Sequence, residues 1–174
     1  MVLPFTLMVA FATLTASGDE ISEQNTEMLA QAVGVMDENI ALYSSIDDPS
    51  EKCLTCTRTV YEPQNRFVVF VFHYQGQNGE PGTDVPFCVN LTATETLKFG
   101  FSPCDEGAIT GTSQGYYFDG KSCFLARFPT SNQDHCLLWI NEDFIDSVSE
   151  ECVTQFDQNC GPQRYTLYDK EKCP

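Results

Sequence analysis

Cysteine and histidine are the most reactive side chains in this sequence of 174 residues, which contains nine cysteines and two histidines. Cys53 and Cys56 have the spacing of a redox motif, but a thioredoxin-like site also needs a βαβ setting and a helix N-terminus that stabilises the thiolate. The sequence around Cys53 and Cys56 indicates neither a βαβ unit nor the start of a helix. A zinc site needs clustered ligands, whereas His73 and His135 lie far apart in the sequence. We therefore expect no metal, and we expect each histidine to be exposed or satisfied.

Hydrolytic chemistry is also poorly supported by the motifs of the chain. No serine lies in a Gly-x-Ser-x-Gly elbow, and nearly all the cysteines are needed for bridges. The sequence therefore indicates a binding protein rather than an enzyme, and it indicates no cofactor.

The charge of the chain narrows the class of partner. Acidic residues number 25 and basic residues 9, which gives a formal net charge of −16. Nucleic acids and anionic membrane surfaces would repel such a protein. We therefore expect a small-molecule partner, no nucleic acid, no membrane partner and a monomeric state.

The first 18 residues, MVLPFTLMVAFATLTASG, have no charged side chain and end in small residues. This pattern is typical of a secretory signal peptide, with cleavage expected before Asp19. Nine cysteines also indicate an oxidising compartment and a disulfide framework. The sequence thus predicts a secreted, extracellular protein with one domain over residues 19–174.

Short apolar runs, each bounded by turn residues, dominate the centre of the chain. A helix is predicted over residues 22–35 behind a Ser22 cap, and a second over residues 147–161. A succession of strands without intervening helices favours an antiparallel barrel or sandwich. The predicted strands are NRFVVFVFHYQ, FCVNLTATETLKFGF, SQGYYF, SCFLARF and CLLWIN.

The segment CLLWINEDFIDSVSEEC, residues 136–152, holds the only tryptophan, Trp139. With the sequence that follows, it resembles the secreted lipocalins of tick saliva, the histamine-binding protein family. The matching features are a Cys followed by Leu-Trp, Cys152, Cys160-Gly161, Tyr168-Asp169 and a last Cys173, with EKC at Cys53 after an Asp-Pro turn. Between Arg58 and Gly115 the match is only a pattern of strands.

This resemblance implies a mainly β fold, an eight-stranded antiparallel lipocalin-type barrel with a short N-terminal helix, a C-terminal helix and disulfide bonds. It implies the pairs Cys123–Cys152 and Cys136–Cys160, and a bond from Cys173 to the first strand region. Cys53 is expected there rather than Cys56, although the two lie only three residues apart. The remaining pair, Cys88 and Cys104, matches nothing in the family, but it could bridge adjacent strands.

The resemblance also implies that the barrel sequesters a small host mediator and thereby evades host inflammatory defence. A biogenic amine, histamine or serotonin, is slightly favoured. Amine-binding members carry acids at the positions of Phe124 and Leu137, where this chain has apolar side chains. Other acids, such as Asp37, Glu38, Glu95 or Asp119, would then have to meet the ammonium group. The expected ligand-binding residues are Trp139, Phe124, Leu137, Tyr117, Phe72, Phe99, Glu95 and Asp37.

Two other ligand classes remain open. A fatty acid or an eicosanoid such as a leukotriene would suit an aromatic wall, with Arg58 or Arg127 as a donor to its acid group. Alternatively, the outer surface could bind a host protein. The segment Asn90-Leu-Thr92 is an N-glycosylation sequon, so Asn90 is an expected glycosylation site.

Overall fold

Nine β-strands and two α-helices form the fold, in a computed structural model that describes residues 17–76, 79–129 and 134–173. The predicted signal peptide lies almost wholly outside the described residues. None of the described helices is long and apolar enough to cross a bilayer. In chain order the elements are α1 Gly18–Val35, β1 Glu38–Ser44, β2 Thr55–Glu62, β3 Phe67–Tyr74, β4 Thr83–Asn90, β5 Lys98–Pro103, β6 Thr112–Phe118, β7 Cys123–Phe128, β8 His135–Asn141, α2 Glu150–Cys160 and β9 Tyr165–Thr166.

The strands form one antiparallel sheet that closes on itself. Neighbours follow the order β2, β3, β4, β5, β6, β7, β8, β1, and β1 pairs in turn with β2. The short β9 adds to β1 outside this ring. The predicted eight-stranded barrel is therefore confirmed. Closure removes exposed sheet edges and leaves an interior wide enough for side chains or one small ligand.

Helix α1 covers one end of the barrel and begins earlier than predicted. Its cap is Ser17, whose hydroxyl accepts from the backbone N–H of Glu20, and two acids follow in the first turn. A capped start with acids near the positive end of the helix dipole explains why the helix begins before Ser22. One face of α1 buries Leu29 and Val33 in the barrel core.

Strand β8 is buried along its whole length because both of its faces are covered. Alternate residues point to opposite sides of a strand. Leu137 and Trp139 belong to the core cluster inside the barrel, whereas Leu138 and Ile140 belong to a second cluster outside it. Helix α2 covers that outer cluster with Phe156, which is fully buried.

Four disulfide bonds hold the ends of these elements, and their pairing matches the one expected from the sequence. They are Cys53–Cys173, Cys88–Cys104, Cys123–Cys152 and Cys136–Cys160. The bond Cys88–Cys104 joins β4 to the turn after β5. The bonds Cys123–Cys152 and Cys136–Cys160 fasten α2 to β7 and to β8, respectively. Cys56 is free and buried. Because burial raises the pKa of the Cys56 thiol to about 12, the thiol stays protonated at neutral pH, and this disfavours the redox interpretation.

Truncation of Phe156 should destabilise the protein strongly. Phe156→Ala removes a fully buried ring between α2 and the outer face of β8, and such changes cost about 3–5 kcal/mol. At roughly 2–4 °C per kcal/mol, melting followed by circular dichroism should show a decrease on the order of 10 °C. Phe156→Leu, which keeps most of the apolar volume, should show a smaller decrease. An unchanged melting temperature for Phe156→Ala would contradict the assigned packing of α2.

The free thiol supplies a second prediction. In the native protein at pH 8, Cys56 should not react with Ellman's reagent on the timescale of minutes, because the thiol is buried and its pKa is raised to about 12. After denaturation in guanidinium without reductant, one thiol per chain should react, since the other eight cysteines are bonded. Fast labelling of the native protein, or more than one thiol after denaturation, would refute this disulfide assignment.

Candidate ligand-binding cavity

The barrel interior contains two neighbouring cavities, which we name the inner chamber and the outer chamber. The inner chamber lies beneath α1, has a volume of about 60 Å³ and has an apolar wall. The outer chamber lies towards the other end of the barrel and has a volume of about 430 Å³. The inner chamber is lined by Leu29, Ala32, Val33, Met36, Asn39, Cys56, Phe70, Phe72, Val89, Phe99, Phe101, Phe124, Phe128 and Trp139.

Three phenylalanine rings separate the chambers and line both of them: Phe72, Phe101 and Phe128. The Phe101 ring centroid lies 4.9 Å from that of Phe128 and 5.9 Å from that of Phe72. Phe87, on the side of the outer chamber, stacks on Phe101 with centroids 4.6 Å apart. Rings at such distances attract one another in offset or edge-to-face geometry. The constriction is therefore a packed aromatic contact that also offers π-faces to a ligand.

Trp139 lies in the wall of the inner chamber and is only 4% exposed. Its neighbours across β8 are Ala41 on β1 and Phe124 on β7. Its ring packs edge-on against Phe72 at 5.1 Å. The tryptophan therefore forms part of the aromatic wall, and the cysteine three residues before it faces the opposite side, towards α2.

The outer chamber combines aromatic faces with acidic groups. Its aromatic side chains include Phe72, Tyr74 and Phe87, and its acids are Glu51 and Glu106. No lysine or arginine is among the described residues that line it. Burial, followed by the nearby carboxylates of Glu51 and Asp48, raises the pKa of Tyr74 to about 12. The Tyr74 hydroxyl therefore stays protonated and available as a donor, in a chamber whose potential is negative.

Glu51 and His135 form a buried pair in the outer chamber. Glu51 Oε1 lies 2.8 Å from His135 Nε2, and their side chains are only 8% and 1% exposed. The contact has the distance of an ion pair but not the angle of a hydrogen bond. Accordingly, Glu51 Oε2 and both ring nitrogens of His135 have no hydrogen-bond partner within the described part of the chain. The expectation that His135 is exposed or satisfied is therefore wrong.

Five of the eight expected ligand-binding residues line the interior. Phe72 lines both chambers, and Leu137 lines the outer one. Phe99, Phe124 and Trp139 line the inner one. The apolar side chains at positions 124 and 137 thus belong to the cavity wall.

Tyr117 does not line either chamber. The pairing of β6 with β7 shifts between Gly115 and Tyr117, which is a β-bulge. The extra residue reverses the side of the sheet to which the next side chains point. Tyr117 therefore packs in the outer cluster beneath α2, and strict alternation from Gly115 would have placed it inside.

Glu95 and Asp37 are exposed and lie outside both chambers. The predicted strand that contained Glu95 is interrupted, because the chain leaves β4 at Asn90 and re-enters the sheet at Lys98. The intervening loop packs on α1, where the Asn25 amide donates to the carbonyl oxygen of Glu95 at 3.0 Å. Asp37 lies in the turn from α1 to β1, and its carbonyl accepts from the Arg58 N–H at 2.7 Å.

The other charged residues considered from the sequence are also committed elsewhere. Arg58 donates to the carbonyl of Val33 in α1, and Arg127 Nε donates to the Tyr116 hydroxyl at 3.0 Å. The pKa of the Asp119 carboxyl is lowered. Burial acts to raise this pKa, but hydrogen bonds from the Ser122 hydroxyl and from backbone N–H groups together have the larger, opposite effect. Asp119 therefore stabilises a turn outside the cavity.

Sequence reasoning missed Glu51, His135 and Tyr74 as site residues. Glu51 lies in a 3₁₀ turn between β1 and β2, a context in which an acid is ordinarily solvated. The sequence signal that could have identified Glu51 is its position two residues before Cys53. The disulfide bond from Cys53 to Cys173 fixes the direction of the segment that carries Glu51. His135 could have been placed inward from Trp139, since residues 135, 137 and 139 share one face of a strand.

The sequence of the chain matches a known protein family. A family model described as tick histamine binding protein matches residues 35–174. No curated protein matches the chain in sequence.

Solved structures with the same fold include binders of different ligands. Japanin from Rhipicephalus appendiculatus, bound to cholesterol, is 15% identical with a TM-score of 0.60, covering 79% of this chain and 95% of that one. The serotonin complex of AM182 is 19% identical with a TM-score of 0.60, covering 84% and 92%. Lobster apocrustacyanin A1 is 11% identical with a TM-score of 0.60, covering 91% and 90%. At these identities the likeness establishes the fold alone.

Trp139 should report occupancy of the interior. N-phenyl-1-naphthylamine is a neutral apolar dye, and excitation of the single tryptophan should give sensitised dye emission, because Trp139 lies in the chamber wall. Trp139→Phe should bind the dye, as seen by direct excitation, but lose most of the sensitised emission. A bound dye that takes no energy from Trp139 would place the binding site elsewhere on the molecule.

Proposed function

This chain belongs to the tick histamine-binding protein family, and on that premise we propose that it is a secreted protein that sequesters a small host mediator, with a biogenic amine favoured. The observation that carries the proposal is the composition of the outer chamber. It combines aromatic faces and two glutamates, with no basic residue among its described lining. The ligand would be bound without chemical change, which would deplete it at the site of host defence.

The chemistry of a cationic amine fits this composition. An ammonium group taken out of water needs a paired charge or the face of an aromatic ring. The carboxylates of Glu51 and Glu106 would supply the charge, and Tyr74 and Phe87 would supply rings in the same chamber. The serotonin complex of AM182 supports this choice by fold likeness only.

An apolar lipid is the second candidate, and the inner chamber favours it. That chamber has an apolar wall apart from the side chain of Asn39, Phe124 contributes to this wall, and Leu137 adds an apolar side chain to the outer chamber. A lipid acid is less suitable than a neutral lipid, because Arg58 and Arg127 are bound to other groups and the outer chamber is acidic. Japanin, whose structure is a cholesterol complex, has the same fold.

Further properties of the mature protein are part of the same proposal. We infer that residues 1–18, which include the Ser17 cap of α1, are removed on secretion, that residues 19–174 act as one monomeric domain and that Asn90 is glycosylated. Asn90 ends β4 and is exposed, which is compatible with attachment of a glycan.

Calorimetric titration of the secreted protein tests the proposed cargo. Serotonin or histamine should bind at one molecule per chain, and leukotriene should bind more weakly because its carboxylate would meet an acidic chamber. The matched control is the leukotriene methyl ester, which lacks the charge and should bind better than the free acid. Tighter binding of free leukotriene than of both amines would reject the amine assignment in favour of a lipid.

A further inference from the structure

The Glu51–His135 pair is costly to bury in the absence of a ligand. Glu51 is the one carboxylate residue that is buried within the described part of the chain. Its Oε2 atom and the ring nitrogens of its neighbour have no hydrogen-bond partner there. A buried polar group without a hydrogen-bond partner destabilises the folded protein, and a charged group does so more strongly. Both residues line the outer chamber, so a bound molecule could supply the missing partners.

The Glu51 side chain is held in this position by its backbone. The 3₁₀ turn Pro49–Glu51 is capped by Asp48, which accepts from the Ser50 N–H at 2.9 Å. The Glu51 carbonyl accepts from the Leu54 N–H at 3.1 Å, and Cys53 in between is bonded to Cys173. Because the backbone on both sides of Glu51 is constrained, its side chain begins from a fixed position beside the outer chamber.

The His135 side chain is equally constrained. His135 begins β8 opposite Phe128 on β7. The next residue, Cys136, exchanges hydrogen bonds with Ser45 and is bonded to Cys160. Both members of the pair therefore lie within two residues of a disulfide bond. This preorganisation is expected of a binding group, because little conformational freedom remains to be lost when the ligand arrives.

The unsatisfied atoms define the ligand chemistry. A carboxylate offers only acceptors, and a neutral imidazole has one nitrogen with a free lone pair. An ammonium group has three N–H donors and no acceptor, and it can donate to Glu51 and to the imidazole together. A hydroxyl has a single donor and satisfies fewer of these atoms. The other acid of the chamber, Glu106, is exposed and therefore remains hydrated.

We propose that Glu51 is the ammonium-binding residue of this protein and that His135 is its positioning residue. The ligand class is a primary ammonium joined to a flat aromatic body, which would lie against the rings of the outer chamber. This inference rests on the proposed function and deepens it. It places the essential carboxylate on a turn outside the barrel strands rather than on the barrel wall.

Paired ligands and paired variants test the inference. The probes are serotonin and 5-hydroxytryptophol, which differ in an ammonium group and a hydroxyl group. The wild-type protein should bind serotonin at least about 10-fold more tightly, because hydrogen bonds to charged groups contribute about 1.5–3 kcal/mol. Glu51→Gln should weaken serotonin binding roughly 10- to 100-fold and leave the alcohol nearly unchanged. Glu95→Gln, the matched control for lost charge at an exposed acid outside both chambers, should change both affinities less than about 3-fold.

The positioning role of His135 is read from selectivity rather than from stability. His135→Leu should reduce the serotonin-to-alcohol ratio, whereas His135→Gln, which keeps a polar atom at a similar reach, should restore part of it. A merely structural role would lower both affinities together and leave the ratio unchanged.

The relative affinities of the wild type and the variants for serotonin and 5-hydroxytryptophol decide whether the inference holds. Equal binding of both probes by the wild type would overturn the inference even if Glu51→Gln did not fold, and it would leave small-molecule sequestration standing. Selectivity that survives Glu51→Gln, or that is lost equally in Glu95→Gln, would also overturn it. Failure of the wild type to bind the two probes, histamine, leukotriene and its ester would reject the proposed function and the inference with it.

Discussion

Burial of β8 on both faces is the constraint on which the rest of the structure depends. A strand in an antiparallel sheet commonly has one solvated face, but His135–Asn141 has none. The inner face supplies His135, Leu137 and Trp139 to the cavity wall. The outer face is covered by α2, which two disulfide bonds attach to β7 and β8. The tryptophan and the nearby cysteines thus belong to opposite sides of one strand, and each side needs the other to exclude water.

The same constraint divides the interior. Trp139 packs on Phe72, and the phenylalanines of the constriction continue that contact across the barrel. Beneath them the cavity is small and apolar, whereas above them it is larger and acidic. An aromatic ring can use the apolar contacts of the constriction while its charged substituent stays in the acidic region. This arrangement separates the hydrophobic contribution to affinity from the electrostatic contribution to selectivity.

Short apolar runs bounded by turn residues predicted an antiparallel barrel or sandwich, the family resemblance implied eight strands, and two-residue alternation within a strand assigned side chains to the inner or outer face. The aromatic wall at Phe72, Phe99, Phe124 and Trp139 follows from that pattern. It failed where the backbone departs from the pattern: a bulge turned Tyr117 outward, and a loop removed Glu95 from the sheet. It also missed the Glu51–His135 pair, whose partners are 84 residues apart in sequence (135 − 51) and meet only when the barrel closes. Long-range pairs of this kind leave no local periodicity in either segment.

A crystal structure of the protein with serotonin tests the central claim most directly. The account predicts one molecule in the outer chamber, with its ammonium nitrogen about 2.7–2.9 Å from Glu51 Oε2, as in charge-assisted hydrogen bonds, and with its indole ring against the aromatic residues of the constriction. Serotonin bound with its ammonium group at Glu106 or outside the barrel, while the Glu51–His135 pair remains unliganded, would contradict it.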